Sequence, residues 1–140
     1  MLSDADWIGL ANDSLPPNLA ALNARFAEGS RANRILQVCY RPGPESFTFT
    51  GLSGGCIAEM LDQAAAHCGT FVTSYGCPTL TMTTNYFHAG VGGAFVATAS
   101  LLCVTSASAI VDAELTDERG RLIASASVVV QFVKDISRYA

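Results

Sequence analysis

The sequence predicts an α+β fold in which an antiparallel sheet wraps around one long central helix. Residues 54–74 carry apolar side chains at helical spacing, and the other positions of this segment are nearly as apolar. A helix that is apolar on most sides is usually buried by surrounding structure. Four strand-like runs joined by short links follow it. Consecutive strands with short links pair antiparallel, so we expect an antiparallel sheet to cover the helix.

The chain of 140 residues predicts a single domain over residues 1–140. Residues 1–15 are polar and predict irregular structure. A short helix is predicted from Pro16 to Gly29, because the apolar residues between them recur at helical spacing. These apolar residues are Leu19, Leu22 and Phe26. We therefore expect residues 1–30 to form an N-terminal extension with one short helix.

The strands are predicted from alternating apolar residues and from turn residues between them. Residues 34–40 predict a strand, residues 42–44 a turn, and residues 46–50 the pairing partner of that strand. The apolar stripe of the helix comprises Ile57, Leu61, Ala64, Ala65, Cys68 and Val72. The strands after the helix are predicted at residues 79–88, 94–104, 109–115 and 122–133. Their short links predict hairpins between successive strands.

The composition narrows the classes of partner. Only 14% of the residues are charged and 50% are hydrophobic, and burial of surface in an oligomer would explain the shortage of charge. The net charge of −4 and the lack of a basic run argue against nucleic acid and anionic membranes as partners. No apolar run reaches the roughly 18 residues of a membrane span. The acidic N-terminal segment lacks the basic region of a signal peptide, so we expect a cytoplasmic location.

Five cysteines are present, and no two of them form a Cys-x-x-Cys pair. An odd number without that spacing indicates neither a disulfide framework nor a zinc site. We expect small buried thiols, with one reactive cysteine as the alternative. No metal or separate cofactor is expected.

The segment GLSGGCIAEMLDQAAAHCG resembles the helix-start motif of the small acyl-CoA thioesterases of the hotdog fold, of the phenylacetate-pathway and 4-hydroxybenzoyl-CoA thioesterase kinds. Their pattern is a polar residue, two glycines, and an Asp or Glu eight positions after the first glycine. The matching residues here are Ser53, Gly54, Gly55 and Asp62. TLTMTTNYFHAG and GRLIASASVVVQFV resemble strands that follow in that family, and the resemblance covers residues 51–133. It implies a hotdog fold and hydrolysis of an acyl-CoA thioester, with coenzyme A entering as part of the substrate.

The chain departs from this family pattern in three places. Ser53 stands where His or Gln is common, and Phe47 replaces an upstream Asn. Residues 105–108 lack the basic residue that many relatives carry after the second long strand. The residues that contact coenzyme A are therefore unassigned.

The chemistry is expected at two positions of the central helix. The backbone N–H of Gly54 at the helix N-terminus can polarise a thioester carbonyl, because the terminal donors are unpaired and the helix dipole favours developing negative charge. The alternative is that Gly54 and Gly55 only form a tight turn. Asp62 is the candidate general base or nucleophile, since a carboxylate in an apolar stretch is costly unless it is paired or functional. Glu59 is the reserve candidate, and a structural role for Asp62 remains the alternative.

The resemblance adds further candidates. Thr79 aligns with a hydroxyl residue that helps hold the attacking water, and Thr81 is expected on the same face of the strand as its backup. Ser53, Gly55 and Asn85 are expected to contact the substrate.

Two histidines are also near these motifs. His67 and His88 are candidates for a catalytic role, although a lone histidine is more often structural.

The spacing of the two catalytic positions predicts a shared site. Eight helical residues separate Gly54 from Asp62 by about 12 Å. Two antiparallel helices in a dimer could place Gly54 of one subunit beside Asp62 of the other, and the resemblance implies the same arrangement. We therefore expect a homodimer, with a tetramer as a dimer of dimers as a further state.

Two other functions stay open. A hotdog dehydratase or hydratase would act on acyl thioesters through a histidine and an acidic residue. A non-catalytic acyl-CoA binding protein would bind the same ligand and leave it unchanged.

Overall fold

The computed structural model describes residues 1–134. Its centre is a six-stranded antiparallel sheet packed against one long helix. The strands of this sheet are β1 (Arg25–Ser30), β2 (Ile35–Tyr40), β5 (Thr79–Tyr86), β6 (Phe95–Val104), β7 (Ser108–Asp117) and β8 (Leu122–Gln131). They lie in the order β1-β2-β6-β7-β8-β5. The predicted α+β plan is confirmed.

The long helix α3 (Gly54–Thr73) has 20 residues and packs against the inner face of the sheet. Of the six residues in the predicted apolar stripe, Val72 is half-buried and the other five are buried. Several buried positions of the sheet carry alanine, namely Ala97, Ala99, Ala113, Ala124 and Ala126. Small side chains on both surfaces allow the helix to approach the sheet closely.

The N-terminus differs from the prediction of irregular structure, because it contains a helix, α1 (Asp4–Asp13). The Ser3 hydroxyl oxygen caps this helix by accepting from the Asp6 backbone N–H at 3.1 Å. Trp7 packs against Phe26 and Phe71, with ring centroids 5.7 and 4.9 Å away. One large aromatic residue and a good N-cap outweigh the polar composition.

The predicted helix from Pro16 to Gly29 is also wrong in extent. Helix α2 (Pro17–Ala20) has four residues, and Asn23 with a φ of 50° follows it. Phe26 and Gly29 belong to strand β1. The apparent helical spacing therefore joined residues of two different elements. Gly29 permits close packing, because a Cβ there would lie 2.9 Å from the Phe71 ring.

Residues 46–50 do not pair with the strand at 34–40. Strand β2 pairs with β1 and β6 instead. A 3-10 turn (Pro44–Ser46) leads into a small separate hairpin of β3 (Phe47–Thr48) and β4 (Gly51–Leu52). In this hairpin, Leu52 N donates to the Gly90 carbonyl at 2.8 Å. The hairpin thus ties the start of α3 to the link between β5 and β6.

The prediction of hairpins between successive strands holds for β6, β7 and β8 but is wrong for β5. Strand β5 pairs with β8, with Tyr86 opposite Ala124, and it forms an edge of the sheet. The link at residues 87–94 carries the chain across the sheet end, where its Gly90 is buried against Leu52. Residues just before the start of α3 thus position this link, although they are distant from it in sequence.

The cysteines are free thiols in the part of the chain described by the structure. Three are buried as expected, at Cys56, Cys68 and Cys77. Burial raises the pKa of Cys68 to about 12, so this thiol stays protonated. Cys103 is exposed, which corrects the expectation of burial for that residue. Among residues 1–134, no helix is both long enough and apolar enough to cross a membrane.

Candidate active site

The first turn of α3 presents two free backbone donors. Ser53 is the N-cap, and its Oγ accepts from the backbone N–H of Cys56 at 3.2 Å. The N–H groups of Gly54 and Gly55 have no acceptor within residues 1–134, and both glycines are exposed. The unpaired donors and the helix dipole together favour an oxygen with partial negative charge at this point.

The packing of the chain does not require glycine at these two positions. Neither Gly54 nor Gly55 has a positive φ. A Cβ on Gly54 would meet the Tyr86 ring at an ordinary 3.6 Å, and a Cβ on Gly55 would meet nothing within 4 Å. The missing side chains leave the two N–H groups uncovered, which favours close approach of a ligand.

An open cleft of about 330 Å³ lies at this helix end. Its lining residues are Thr50, Leu52, Gly54, Ile57, Tyr86, Phe87, His88, Ala89 and Gly90. The Tyr86 hydroxyl donates to the Gly54 carbonyl oxygen at 2.7 Å, so it fixes the first turn of the helix. The cleft therefore combines apolar walls with the free helix donors.

Tyr86 and His88 line this cleft, a place that was not predicted for them from the sequence. Alternation along β5 was the available signal, because Tyr86 shares a face with Met82, which is opposite buried Val128. His88 Nδ1 lies 2.8 Å from the Leu122 carbonyl oxygen. A carbonyl only accepts, so Nδ1 of His88 is the donor in this contact.

The structure brings Asp62 and Thr79 together. Thr79 Oγ1 donates to Asp62 Oδ1 at 2.5 Å. Asp62 is half-buried on the side of α3 that the sheet leaves open, and Thr79 is exposed at the start of β5. The hydroxyl proton is used by this bond, so the lone pairs of Thr79 Oγ1 remain available to accept from a water molecule.

Thr81 does not share a face with Thr79, which corrects the expected backup role. The pairing with β8 shifts register between these residues, so Thr79 is opposite buried Val130 and Thr81 is opposite Val129. A bulge at Leu80 accommodates the extra residue. Thr81 therefore projects from the outer face of the sheet, away from α3.

Asn85 also projects from the outer face of the sheet. It lies opposite Ser125, in a shallow groove of about 220 Å³ that Asp112 and Glu114 also line. Within one chain, the structure does not bring Asn85 to Gly54 or Asp62. Its role in substrate binding stays a prediction.

The reserve carboxylate, Glu59, belongs to a different network. Its Oε1 accepts from Gln63 Nε2 at 3.1 Å, and Gln63 is buried. Gln63 Oε1 in turn accepts from the Tyr40 hydroxyl at 3.0 Å. Burial, with the negative charge of Glu59, raises the pKa of Tyr40 far above its usual value, so Tyr40 remains a donor. Glu59 is thus bonded to a network that includes buried Gln63, whereas the partner of Asp62 is the exposed Thr79 hydroxyl.

His67 has the surroundings of a structural residue. Its Nδ1 lies 2.8 Å from the Gln63 carbonyl oxygen, and its ring packs 5.4 Å from that of Phe26. Burial lowers the pKa of His67, which keeps the ring neutral. Residues 1–134 contain no group of three His, Cys, Asp or Glu side chains that could hold a metal ion.

Comparison with known proteins identifies the family of this chain. The model of the thioesterase superfamily matches residues 49–124, which include α3 and the Asp62–Thr79 pair. The chain belongs to the thioesterase superfamily. No curated protein matches the sequence. Membership supports thioester hydrolysis as the general activity.

Solved structures share the architecture at low sequence identity. The PaaI protein from the phenylacetic acid degradation operon of E. coli is 14% identical, with a TM-score of 0.81 over 93% of this chain and 94% of that one. A phenylacetic acid degradation-related protein of Ralstonia eutropha is 20% identical, with a TM-score of 0.80 over 88% and 96%. A thioesterase of Haemophilus influenzae is 10% identical, with a TM-score of 0.81 over 100% and 96%. These similarities confirm the hotdog fold.

Proposed function

We propose that this thioesterase-superfamily protein hydrolyses an acyl-CoA thioester to the free acid and coenzyme A. The observation that carries the proposal is the Thr79–Asp62 hydrogen bond on the open side of a helix whose first two N–H groups are free. The Asp62 carboxylate can activate a water molecule, and the free N–H groups can polarise a carbonyl. These are the two requirements of thioester hydrolysis.

The Gly54 N–H donates to the thioester oxygen and stabilises the negative charge that develops there. Gly55 and Ser53 lie beside this donor and contact the substrate. As a general base, Asp62 takes a proton from water while Thr79 Oγ1 accepts the second hydrogen bond of that water. The hydroxide attacks the carbonyl carbon, the C–S bond breaks, and the sulfur leaves with the electron pair and gains a proton. As a nucleophile, Asp62 would attack the carbonyl carbon and expel the thiolate as the C–S bond breaks, which gives a mixed anhydride that water then cleaves to the free acid and the Asp62 carboxylate.

A homodimer with shared sites fits the surface of the chain. Among residues 1–134, strand β5 has a neighbour on one side only, and such edges are ready to pair with another strand. The open side of α3 beside it carries small residues, including Gly55, Ala58 and Ala66. Antiparallel pairing of two β5 edges would bring Gly54 of one subunit toward Asp62 of its partner. A tetramer would then be a dimer of such dimers.

Complementation between two inactive variants tests the shared site. Gly54→Pro removes the N–H donor at the first helical position, where proline is favoured, and Ser53 with ψ 145° tolerates a following proline. Chains with Gly54→Pro are refolded together with chains carrying Asp62→Ala. We expect about a quarter of wild-type activity, since half of randomly formed dimers are mixed and each has one intact site. Gly54→Ala, which keeps the N–H, is the matched control.

A mixture as inactive as its parents, with folding and subunit exchange verified, would reject the shared site.

A panel of acyl-CoA substrates, assayed with a reagent that detects free thiol, separates hydrolysis from binding. Released thiol supports the esterase, whereas bound but unchanged thioester identifies an acyl-CoA binding protein.

A further inference from the structure

The turn between β7 and β8 presents two arginines at a second cleft. This cleft has a volume of about 540 Å³ and lies between the link after β5 and the β7–β8 turn. Its lining residues are Val91, Gly92, Asp117, Glu118, Arg119 and Arg121. Residues 87–90, the preceding part of the same link, line the cleft at the N-terminus of α3. The two clefts are therefore adjacent along one segment.

The two carboxylates of this turn are engaged by the chain itself. Asp117 is buried, and its Oδ1 accepts from the backbone N–H groups of Arg119 and Arg121, each at 2.9 Å. Glu118 Oε1 accepts from the N–H groups of Gly93 and Ala94 at 2.9 and 2.8 Å. These bonds fix the turn against the link and occupy the acidic groups.

The guanidinium groups remain accessible. Arg121 Nε donates to Asp117 Oδ2 at 3.3 Å and Nη2 donates to the Ala89 carbonyl oxygen at 3.4 Å, yet 48% of its side chain is exposed. Arg119 is exposed, and its side chain has no hydrogen bond or ion pair with residues 1–134. Arginine is well suited to phosphate, because its planar group offers several fixed donors.

We propose that Arg119 and Arg121 bind the phosphate groups of the pantetheine carrier whose thioester is cleaved at Gly54. This inference rests on the proposed function. Phosphate next to pantetheine occurs both in coenzyme A and in the prosthetic arm of an acyl carrier protein. The two arginines therefore specify this shared phosphate and not one of the two carriers. An acidic protein of net charge −4 needs local positive groups to hold such an anionic ligand. Residues 105–108 supply none, whereas this turn lies beside the cleft of Gly54.

The test compares an acyl-CoA with the same acyl group on pantetheine, which has no phosphate. Arg119→Gln and Arg121→Gln should each raise KM for acyl-CoA by about tenfold, the loss expected for a charged hydrogen bond. The kcat for acyl-CoA and both constants for acyl-pantetheine should not change, because the phosphates are remote from the reacting atoms. Arg25→Gln, on the opposite edge strand β1, is the matched control and should have no effect.

Calorimetric titration with coenzyme A gives a second readout that needs no turnover. Weaker binding to the Arg119→Gln variant supports the phosphate site even if the wild type hydrolyses nothing, in which case only the proposed function fails. Wild-type affinity of both arginine variants for coenzyme A, together with an unchanged KM for an acyl carrier protein substrate, would overturn the site. An effect of the variants on an acyl carrier protein substrate but not on acyl-CoA would support the site and assign the phosphate to the carrier arm.

Discussion

Ser53 caps α3 with its side-chain oxygen, and this contact indicates the role of the residue. The Oγ atom accepts from the Cys56 N–H, while the N–H groups of Gly54 and Gly55 stay free. A serine hydroxyl does not carry positive charge near neutral pH as an imidazole can. We therefore expect Ser53 to act at the helix entry and as a substrate contact, and not as a proton shuttle.

Replacement of Ser53 by Ala should lower kcat by less than tenfold. Loss of an N-cap costs about 1 kcal/mol of stability, so the melting temperature should fall by a few degrees. Steady-state kinetics and thermal unfolding of the variant check both values, with Ser53→Thr as the control that keeps a capping oxygen. A loss of turnover as large as that of Asp62→Ala would show that Ser53 has a direct chemical role.

At the scale of elements, sequence patterns predicted α3 and the strands β6, β7 and β8. Their periodicity is clear, and their pairing partners are neighbours along the chain. The patterns failed at β5, whose partner β8 is distant in sequence, and at β1, where the spacing of Phe26 had suggested a helix. The bulge at Leu80, which separates Thr81 from Thr79, has no simple sequence signal. Gly54 and Asp62 were named from the spacing of the helix-start motif and Thr79 from the family resemblance, whereas the place of Tyr86 in the cleft depends on tertiary packing.

The β7–β8 turn should contribute stability that depends on pH. The backbone N–H of Arg121, then that of Arg119 and the Arg121 charge, hold the pKa of Asp117 below its usual value. A carboxyl with a lowered pKa stabilises the fold above its unfolded pKa of about 3.9, and this contribution is lost as pH falls through the lower folded value. Asp117→Asn should thus melt below the wild type at pH 7, and the difference should shrink toward pH 3. Melting curves of both proteins over this range provide the measurement. A constant difference would mean that the Asp117 charge contributes nothing.

In the whole molecule, the edge at β5 and the uncovered side of α3 form the surface on which we propose that a second copy packs. The exposed apolar residues here include Leu80 of β5. A charge placed on a strand edge opposes pairing with another strand. Gly54 and Asp62 lie about 12 Å apart along α3 within one chain, so in the proposed shared site assembly and activity should be lost together.

Leu80→Glu should convert the dimer to a folded monomer with little activity. Leu102→Glu is the matched control, because Leu102 is 57% exposed against 55% for Leu80 but lies in β6, away from that edge. Light scattering after size-exclusion chromatography gives the mass of each variant, and circular dichroism verifies the fold. If Leu80→Glu stays dimeric and fully active, then the β5 edge is not the interface.

The central claim is that Asp62 carries out the hydrolytic step, and single-turnover hydrolysis by Asp62→Asn tests it most directly. Asn keeps an oxygen that can accept from Thr79 but lacks basicity and nucleophilicity. General-base catalysis contributes about 10² to 10⁴ in rate, so the single-turnover rate should fall by that order. Acyl-CoA affinity and melting temperature, measured in parallel, should stay close to those of the wild type. Hydrolysis at a near-normal rate would contradict the assignment of this step to Asp62. Glu59 would then be the candidate base, or the protein would not be an esterase.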